Sequence, residues 1–303
     1  MSVYVERLIR APIEAVWTHT QEPDLHQRWD LRFTGIDYLP RPTAAAPQRF
    51  RYATRLAFGL EVRGKGESIG TRDTVAGDRT SALRFWSDQA RSLIREGRGY
   101  WRYVPTSDGV RFLTSFDYDT RYGIVGRAVD RAAFRPLIGW ATAWSFDRLR
   151  LWLEDGIEPV RAARQALVHG IARVGLALIF AYHGLVPKLL GPHPDEVLLL
   201  SRTGLPTTSV GAAIALIGAA ELLLAALMLA RWHRAWPVAV AGIFAIVATI
   251  GVGISAPETL GGAFGPLTLN LAVLCLAAVD ILTLDGIPSA GRCARRPAGK
   301  TSP

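Results

Sequence analysis

Ionisable side chains stand inside largely apolar runs, among them Arg173, His183, Lys188, Glu221 and Asp280. A charge in hydrocarbon is costly in isolation, about 2.5–3.5 kcal/mol for a central arginine on insertion scales, so pairing or function is expected. At the rise of an α-helix, Arg173 lies about 12 Å from a cytoplasmic end placed near Gln165. Glu221 precedes Ala230 on a helix running the other way and lies about 14 Å from the same side. Their depths match, which predicts an Arg173–Glu221 ion pair, with Asp280 near enough to join it or to reach water. The pair has two readings. One is structural, since buried pairs specify packing; the other is a quinone, proton or substrate site.

The stretch "LIFAYHGLVPKLLGPHPDE" (residues 178–196) adds two histidines and a lysine at the far end of the same apolar run. His183 is about 27 Å along the helix, far in depth from Glu221. Zinc needs three or four converging ligands, and His183, His193, Asp195 and Glu196 match no standard ligand spacing. No metal is therefore expected. His183 reads as an interfacial group beside Tyr182, and Lys188 as a side chain that snorkels to head groups. Pro187 marks the kink or stop.

These residues need helices to hold them. A span takes about 20 mostly apolar residues, and four candidates fit: about 165–190, 207–230, 235–255 and 264–284. Small residues, as in "GAAIALIGAAE", suit close packing in lipid. Arg161 and Arg164 precede the first span, Arg231 and Arg234 separate the second and third, and Arg292, Arg295 and Arg296 follow the fourth. The positive-inside rule then places both termini in the cytoplasm. The N-terminal "MSVYVERLIRAP" has no apolar h-region, so no cleaved signal peptide is expected.

The first half has a different composition. Residues 1–158 hold 24 Lys+Arg and 20 Asp+Glu, whereas residues 159–303 hold 11 and 6. Two solvents are implied, with a linker over 157–164 and a basic disordered tail over 288–303. In the soluble half the basic and acidic residues are interleaved, with no basic helix or zinc-finger spacing, and nucleic acid is not an expected partner. The two cysteines, Cys275 and Cys293, form no disulfide framework.

Within the soluble half, "VYVERLIRAP" alternates as a strand, and Pro12 and Pro23 open two short helices. Strand periodicity recurs in "QRFRYATRLAF", "ALRFW", "GYWRYV" and "VRFLTSFDY", and a long helix is predicted over about 126–154. No Ser/His/Asp, Cys/His or paired-carboxylate constellation is apparent, so a binder rather than a catalyst is expected. His19 and His26 read as surface or helix-packing residues, and Asp117 and Asp119 as solvent-facing.

The segment "RLIRAPIEAVWTHTQEPDLHQRWD", with Trp17 and Trp29 at its two tryptophan positions, resembles the START/polyketide-cyclase (SRPBCC, helix-grip) superfamily. The resemblance covers about residues 2–155. It implies a curved antiparallel sheet gripping a long C-terminal helix, with an apolar ligand cavity between them. Trp17, Trp29, Phe50, Phe58, Phe112, Phe116, Trp140 and Trp144 are its expected lining, although single aromatics on a strand face are more often plain core.

The segments "IARVGLALIFAYHGLVPKLL" and "LIGAAELLLAALML" resemble the DoxX-like membrane family, through Arg173, the Gly184-x-x-x-Lys188 spacing and Glu221. The Tyr-His before Gly184, "HPDE" and "FGPLTLN" strengthen the resemblance, which covers about 165–285 and implies a four-helix membrane bundle. Some relatives are associated with quinone-linked oxidoreductases.

Together these readings predict an α+β domain at 1–156 and a four-helix membrane domain at 165–287, in a bacterial-type inner membrane. The expected function is capture of a lipid or other hydrophobic small molecule, with no cofactor; tethering raises its local concentration. The alternatives are a membrane subunit of a quinone-linked redox system, which would need a redox partner protein, and a scaffold or assembly factor. A homo-oligomer is compatible with each.

Overall fold

Val3, Val5 and Ile9 alternate with more exposed neighbours and form strand β1 (Val3–Ile9). Pro12 and Pro23, whose missing N–H groups suit a first helical turn, start α1 (Ile13–Gln21) and α2 (Pro23–Trp29). Six further strands follow: β2 (Gly35–Tyr38), β3 (Arg49–Arg55), β4 (Glu61–Asp73), β5 (Arg79–Trp86), β6 (Ile94–Thr106) and β7 (Gly109–Thr120). They form one antiparallel sheet in the order β1-β7-β6-β5-β4-β3-β2. The expected long helix is present as α3 (Gly123–Val129), a wider π turn over Asp130–Phe134, and α4 (Arg135–Asp155). The result is the helix-grip arrangement expected of this half. This computed structural model describes residues 2–297 apart from 44, 56–58, 76, 263 and 264.

The chain divides into two compact units, Met1–Ala163 with Pro288–Pro303, and Arg164–Ile287. This corrects two expectations. Residues 159–164 are not a linker: helix α5 runs unbroken from Pro159 to Gly184. Nor is the tail disordered as far as residue 297. Ala294 and Glu6 exchange backbone hydrogen bonds of 3.0 and 2.9 Å along the free edge of β1, covering an edge that would otherwise template aggregation. The Ser289 amide and Arg292 donate to the fully buried Asp147 at 2.8 and 3.1 Å. The buried Cys293 thiol lies 3.2 Å from the Ala143 carbonyl, and burial pushes its pKa up to about 12. A buried carboxylate needs partners, and the returning segment supplies them. Residues 298–303 lie outside the described residues.

The second unit continues α5 through a π turn at Leu185–Leu190 and adds α6 (Pro194–Ser201), α7 (Thr207–Ala230), α8 (Trp236–Ser255) and α9 (Pro266–Leu282). The first, α7 and α8 are long and apolar enough to cross a membrane, whereas α9 has 17 residues, the lower end of the range for a span. All four long helices feed one apolar core, including Leu176, Phe180, Leu224, Met228, Val238 and Ala277.

Candidate functional site

At one end of the soluble unit the sheet and helix touch directly. The rings of Phe112 on β7 and Phe146 on α4 stack at 4.4 Å, and Tyr103 stacks on Phe112 at 5.0 Å. Trp29 is fully buried against both phenylalanines, and its indole N–H donates to the His19 carbonyl at 2.8 Å. Trp17 packs on Tyr103 at 5.1 Å with Arg79 over its ring. Three of the expected cavity residues, Trp17, Trp29 and Phe112, therefore belong to a filled core: close-packed rings leave no room for a ligand between them.

The other half of the same face is built differently. Cross-strand register aligns Tyr118, Gly97, Phe85, Gly66, Phe50 and Tyr38 in one row from β7 to β2. Aromatic and glycine positions alternate in the first five. A Cβ on Gly66 would sit 2.3 Å from the Phe50 ring, and one on Gly97 would sit 2.5 Å from the Phe85 ring. The Tyr52 ring covers Gly64 in the same way, at 2.2 Å, and Phe116 presses its own Cβ on the Gly99 position, at 2.5 Å. Glycine lets a neighbouring ring lie flat on the sheet instead of standing off it. Phe50, Tyr52, Leu83 and Phe85 are all only partly buried, while α4 packs on β1. The product is a ring-covered, partly exposed face over β3 to β6, the candidate floor of a groove.

Arg32 borders this face, 5.6 Å over Phe116 and 5.5 Å over Phe33, within the range of cation–π attraction. Asp30 holds it in place, accepting from its Nε at 2.9 Å, its terminal nitrogen at 2.6 Å and its backbone N–H at 3.0 Å. Burial would raise the Asp30 pKa, but the Arg32 charge and the hydrogen bonds from Arg32 and His26 hold it well below the carboxylate range. His26 sits 3.0 Å from Asp30 among the rings of Trp29, Phe33 and Trp101, and burial lowers its pKa despite the neighbouring carboxylate. Burial also pushes Tyr52 up to about 12.

Of the expected lining, Phe50 lies partly buried on this face, and Phe116 is buried in the core beside it. Trp140 and Trp144 stack on one another along α4 at 6.1 Å, with Arg148 over Trp144. Phe58 lies outside the described residues. Sequence reasoning missed Phe33, Tyr52, Phe85 and the four glycines. The signal available was the spacing of two, Gly64-x-Gly66 and Gly97-x-Gly99, inside segments of strand length.

In the membrane unit the expected Arg173–Glu221 pair does not form. Arg173 pairs instead with Asp280 on α9, at 3.0 and 2.7 Å through Nε and a terminal nitrogen. Its remaining N–H groups donate to the carbonyls of Arg231, Trp232 and Arg234 at 2.8, 2.8 and 2.9 Å. Those carbonyls follow the end of α7, where a helix leaves acceptors without partners and its dipole attracts a cation. His169, which sequence reasoning overlooked, completes the cluster 3.2 Å from Asp280 and 3.1 Å from the Trp232 carbonyl. The error lay in the depth origin. The start of α5 and the end of α7 are not level: α5 begins at Pro159 and reaches the carbonyls after α7 only at Arg173, whereas Glu221 packs level with Gly184, roughly 16 Å further along α5.

Lys188 does not snorkel either. It is buried, 3.2 Å from Glu221, 3.1 Å from Glu196 on α6 and 3.3 Å from the His183 carbonyl. Gly184 and Gly218 explain why. A Cβ on either would meet the other's carbonyl oxygen at 2.6 or 2.7 Å, and one on Gly218 would lie 2.9 Å from the Lys188 Cβ. The two helices therefore meet backbone to backbone, the small-residue packing used in membranes. Contact at that distance delivers the Lys188 stem onto α7. Glu221 Oε2, although buried and near the ammonium, accepts no well-directed hydrogen bond. His183 is half-buried with its ring 5.6 Å from that of Tyr182. Among the described residues, no group of three or more His, Cys, Asp or Glu side chains is arranged to hold a metal ion.

Comparison with known proteins matches residues 177–278 to the DoxX-like family. A Bacillus subtilis (strain 168) relative, "Uncharacterized membrane protein YndG", is 45% identical over 183 residues, which are 60% of this chain and 68% of the relative. Solved structures similar to about half of the chain include TTHA0849 from Thermus thermophilus, at 17% identity and a TM-score of 0.37 over 51% of this chain and 99% of that one. Another is a STAR-related lipid transfer protein from Xanthomonas axonopodis, at 14% identity and a TM-score of 0.39 over 50% of this chain and 85% of that one. A third is the di-domain ARO/CYC StfQ from the steffimycin biosynthetic pathway, at 13% identity and a TM-score of 0.37 over 51% of each.

Proposed function

The chain belongs to the DoxX-like family, and from that premise we propose that it is a membrane-anchored binding protein whose helix-grip unit holds a lipid or other hydrophobic small molecule. The ring-covered face over β3 to β6, as the floor of a groove, carries this reading. Phe50, Tyr52 and Phe85 lie flat and only partly buried, each supported by a glycine of the next strand. Largely apolar, preformed concave sites with a few polar groups at the edge are the usual form of small-molecule sites, and Arg32 provides such a group. The Arg173 cluster serves as the lock of the bundle, and the bundle as anchor and exchange partner for membrane-derived ligand.

The returning segment supports an even number of crossings. Residues before 164 and after 287 fold into one unit, so both ends of the membrane segment lie on one side and the number of crossings is even. That favours α9 as a fourth span despite its 17 residues. The arginines flanking the spans support a cytoplasmic location for that side.

Organic extraction and mass spectrometry of the purified full chain test the ligand. A defined apolar molecule is expected, and a fluorescent lipophilic probe should bind saturably and be displaced by the extract. An empty extract together with non-saturable probe binding sinks the proposal. Gly66→Ala sharpens it: the added methyl lifts the Phe50 ring into the groove, so probe affinity should fall while the helical bundle's melting is unchanged.

A further inference from the structure

The helical run that follows β7 turns its apolar side chains outward. Ile124 and Val125 on α3 are 78% and 70% exposed, and Val129, Leu137 and Trp140 continue the row along the π turn and α4. Val125 and Val129 are four residues apart, and Leu137 and Trp140 three, so each pair falls on one helix face. The turn before the run is well determined. Tyr122 adopts the left-handed conformation, with φ of 65°, and its hydroxyl donates to the Ala90 carbonyl, while Gly123 takes φ of 54°. An outward row of this kind on a water-soluble surface marks an interaction site.

Cations flank the row. Arg127 and Arg131, one helical turn apart, are exposed and make no ion pair among the described residues. Beside them opens a recess of about 890 Å³, which they line together with Arg95, Arg121 and Arg135. The acids in the same recess are already engaged. Asp130 accepts from Arg135 at 2.8 Å and from the Tyr118 hydroxyl at 2.6 Å, Asp117 accepts from Arg135 at 3.3 Å, and Asp119 pairs with Arg95 at 3.3 Å. Arg121 spends its terminal nitrogen on the Ser87 carbonyl rather than on a carboxylate. Three guanidinium groups thus face the recess without a carboxylate of their own.

We propose that α3 and the start of α4 form an interfacial helix that docks the soluble unit on an anionic lipid surface. Apolar side chains would enter the head-group boundary and Arg127 and Arg131 would meet lipid phosphates, the composition by which amphipathic helices lie on membranes. Lipid is favoured over a protein partner on two grounds. The uncompensated charge is positive, complementary to an anionic leaflet. The same chain also runs directly from α5 into its apolar helices, so a bilayer is always at hand. The inference stands on membrane residence and not on the groove holding a ligand, although Tyr118 is common to both sites, its ring stacked 6.3 Å from Phe116 and its hydroxyl bonded to Asp130.

The test uses the full chain in nanodiscs, with Val125→Cys in a Cys275→Ser background carrying an environment-sensitive fluorophore; Cys293 is buried and stays unlabelled. In discs containing phosphatidylglycerol, a blue shift and quenching by head-group nitroxide lipids are expected. Neither should occur in phosphatidylcholine alone. A label at Ile69→Cys, equally exposed at 61% but on β4, should remain unquenched in both. Each basic residue near an anionic surface is worth about fivefold in occupancy, so Arg127→Glu with Arg131→Glu should abolish the shift while the Ile69 control keeps its spectrum. Equal signals in the two disc types, or a shift that follows protein concentration and so reports a second copy, overturn the proposal.

Discussion

The two ends of the helical bundle bury charge in opposite ways. Around Arg173 the guanidinium is fully satisfied: it faces one carboxylate, and its five N–H donors find acceptors on Asp280 and on the carbonyls after α7. Around Lys188 the count is uneven, with one ammonium between Glu196 and Glu221 and a buried carboxylate oxygen lacking a directed hydrogen bond. A satisfied network rigidifies, whereas a partly satisfied one keeps freedom to rearrange. The Arg173 cluster is therefore the lock of the fold, and the Lys188 cluster is the place where charge can change with less loss.

The strongest way to break that contrast is Asp280→Asn. It leaves a buried guanidinium facing a neutral amide, and removing one partner of a buried pair costs about 3–5 kcal/mol. The detergent-solubilised protein should lose its cooperative thermal transition or show a much lower midpoint. A midpoint near wild type would show that the carbonyls alone satisfy Arg173.

Next in size is Gly218→Ala. The new methyl would meet the Gly184 carbonyl at 2.7 Å and the Lys188 Cβ at 2.9 Å. Overpacking of this kind costs about 1–3 kcal/mol. The melting midpoint should fall, and Lys188 should become accessible to amine-modifying reagents as the helices part. A stable variant with unreactive Lys188 would mean that the helices shift without opening the cluster.

Glu221→Gln should have a smaller effect, about 1 kcal/mol or less, because Lys188 keeps Glu196 as a charged partner and the Glu221 oxygen it faces accepts no directed hydrogen bond to lose. A loss equal to that of Asp280→Asn would erase the distinction between the clusters. The double variant Glu196→Gln with Glu221→Gln isolates the ammonium and should reproduce the larger loss.

These assignments also mark what the sequence could and could not carry. Alternation made β1, β3, β5, β6 and β7 legible, and the two prolines placed α1 and α2. Strand β4 was not, because "EVRGKGESIGTRD" carries three glycines and charges where an apolar alternation would be sought. Its glycines are legible only once Phe50 and Tyr52 are seen to lie on them. Arg173, Lys188, Glu221 and Asp280 were legible as intramembrane ionisable residues and His169 was not, and their partners depend on helix phase and on which levels of neighbouring helices face one another: taking the ends of α5 and α7 as level misdirected Arg173. The returning segment was hidden for another reason: its anchor, Asp147, is a lone carboxylate in the middle of α4, more than 140 residues away in sequence.

The smallest expected effect extends the contrast to water, where Asp30 is the acceptor-centred counterpart of Arg173. Its carboxylate collects His26 and three donors from Arg32 inside the soluble unit. Both pKa values are depressed in the folded state, so folding resists protonation of both groups and stability rises with pH through each ordinary value. The His26 contribution is fully present above about pH 6.5 and fades as pH falls below it, and the Asp30 contribution fades below about pH 4. Denaturant midpoints followed by tryptophan fluorescence should therefore decline in two steps on acidification. His26→Gln should remove the upper step and leave the lower one, since Arg32 still holds the carboxylate. A decline that keeps both steps in His26→Gln would place the upper titration elsewhere, and Asp30 would then owe its environment to Arg32 alone.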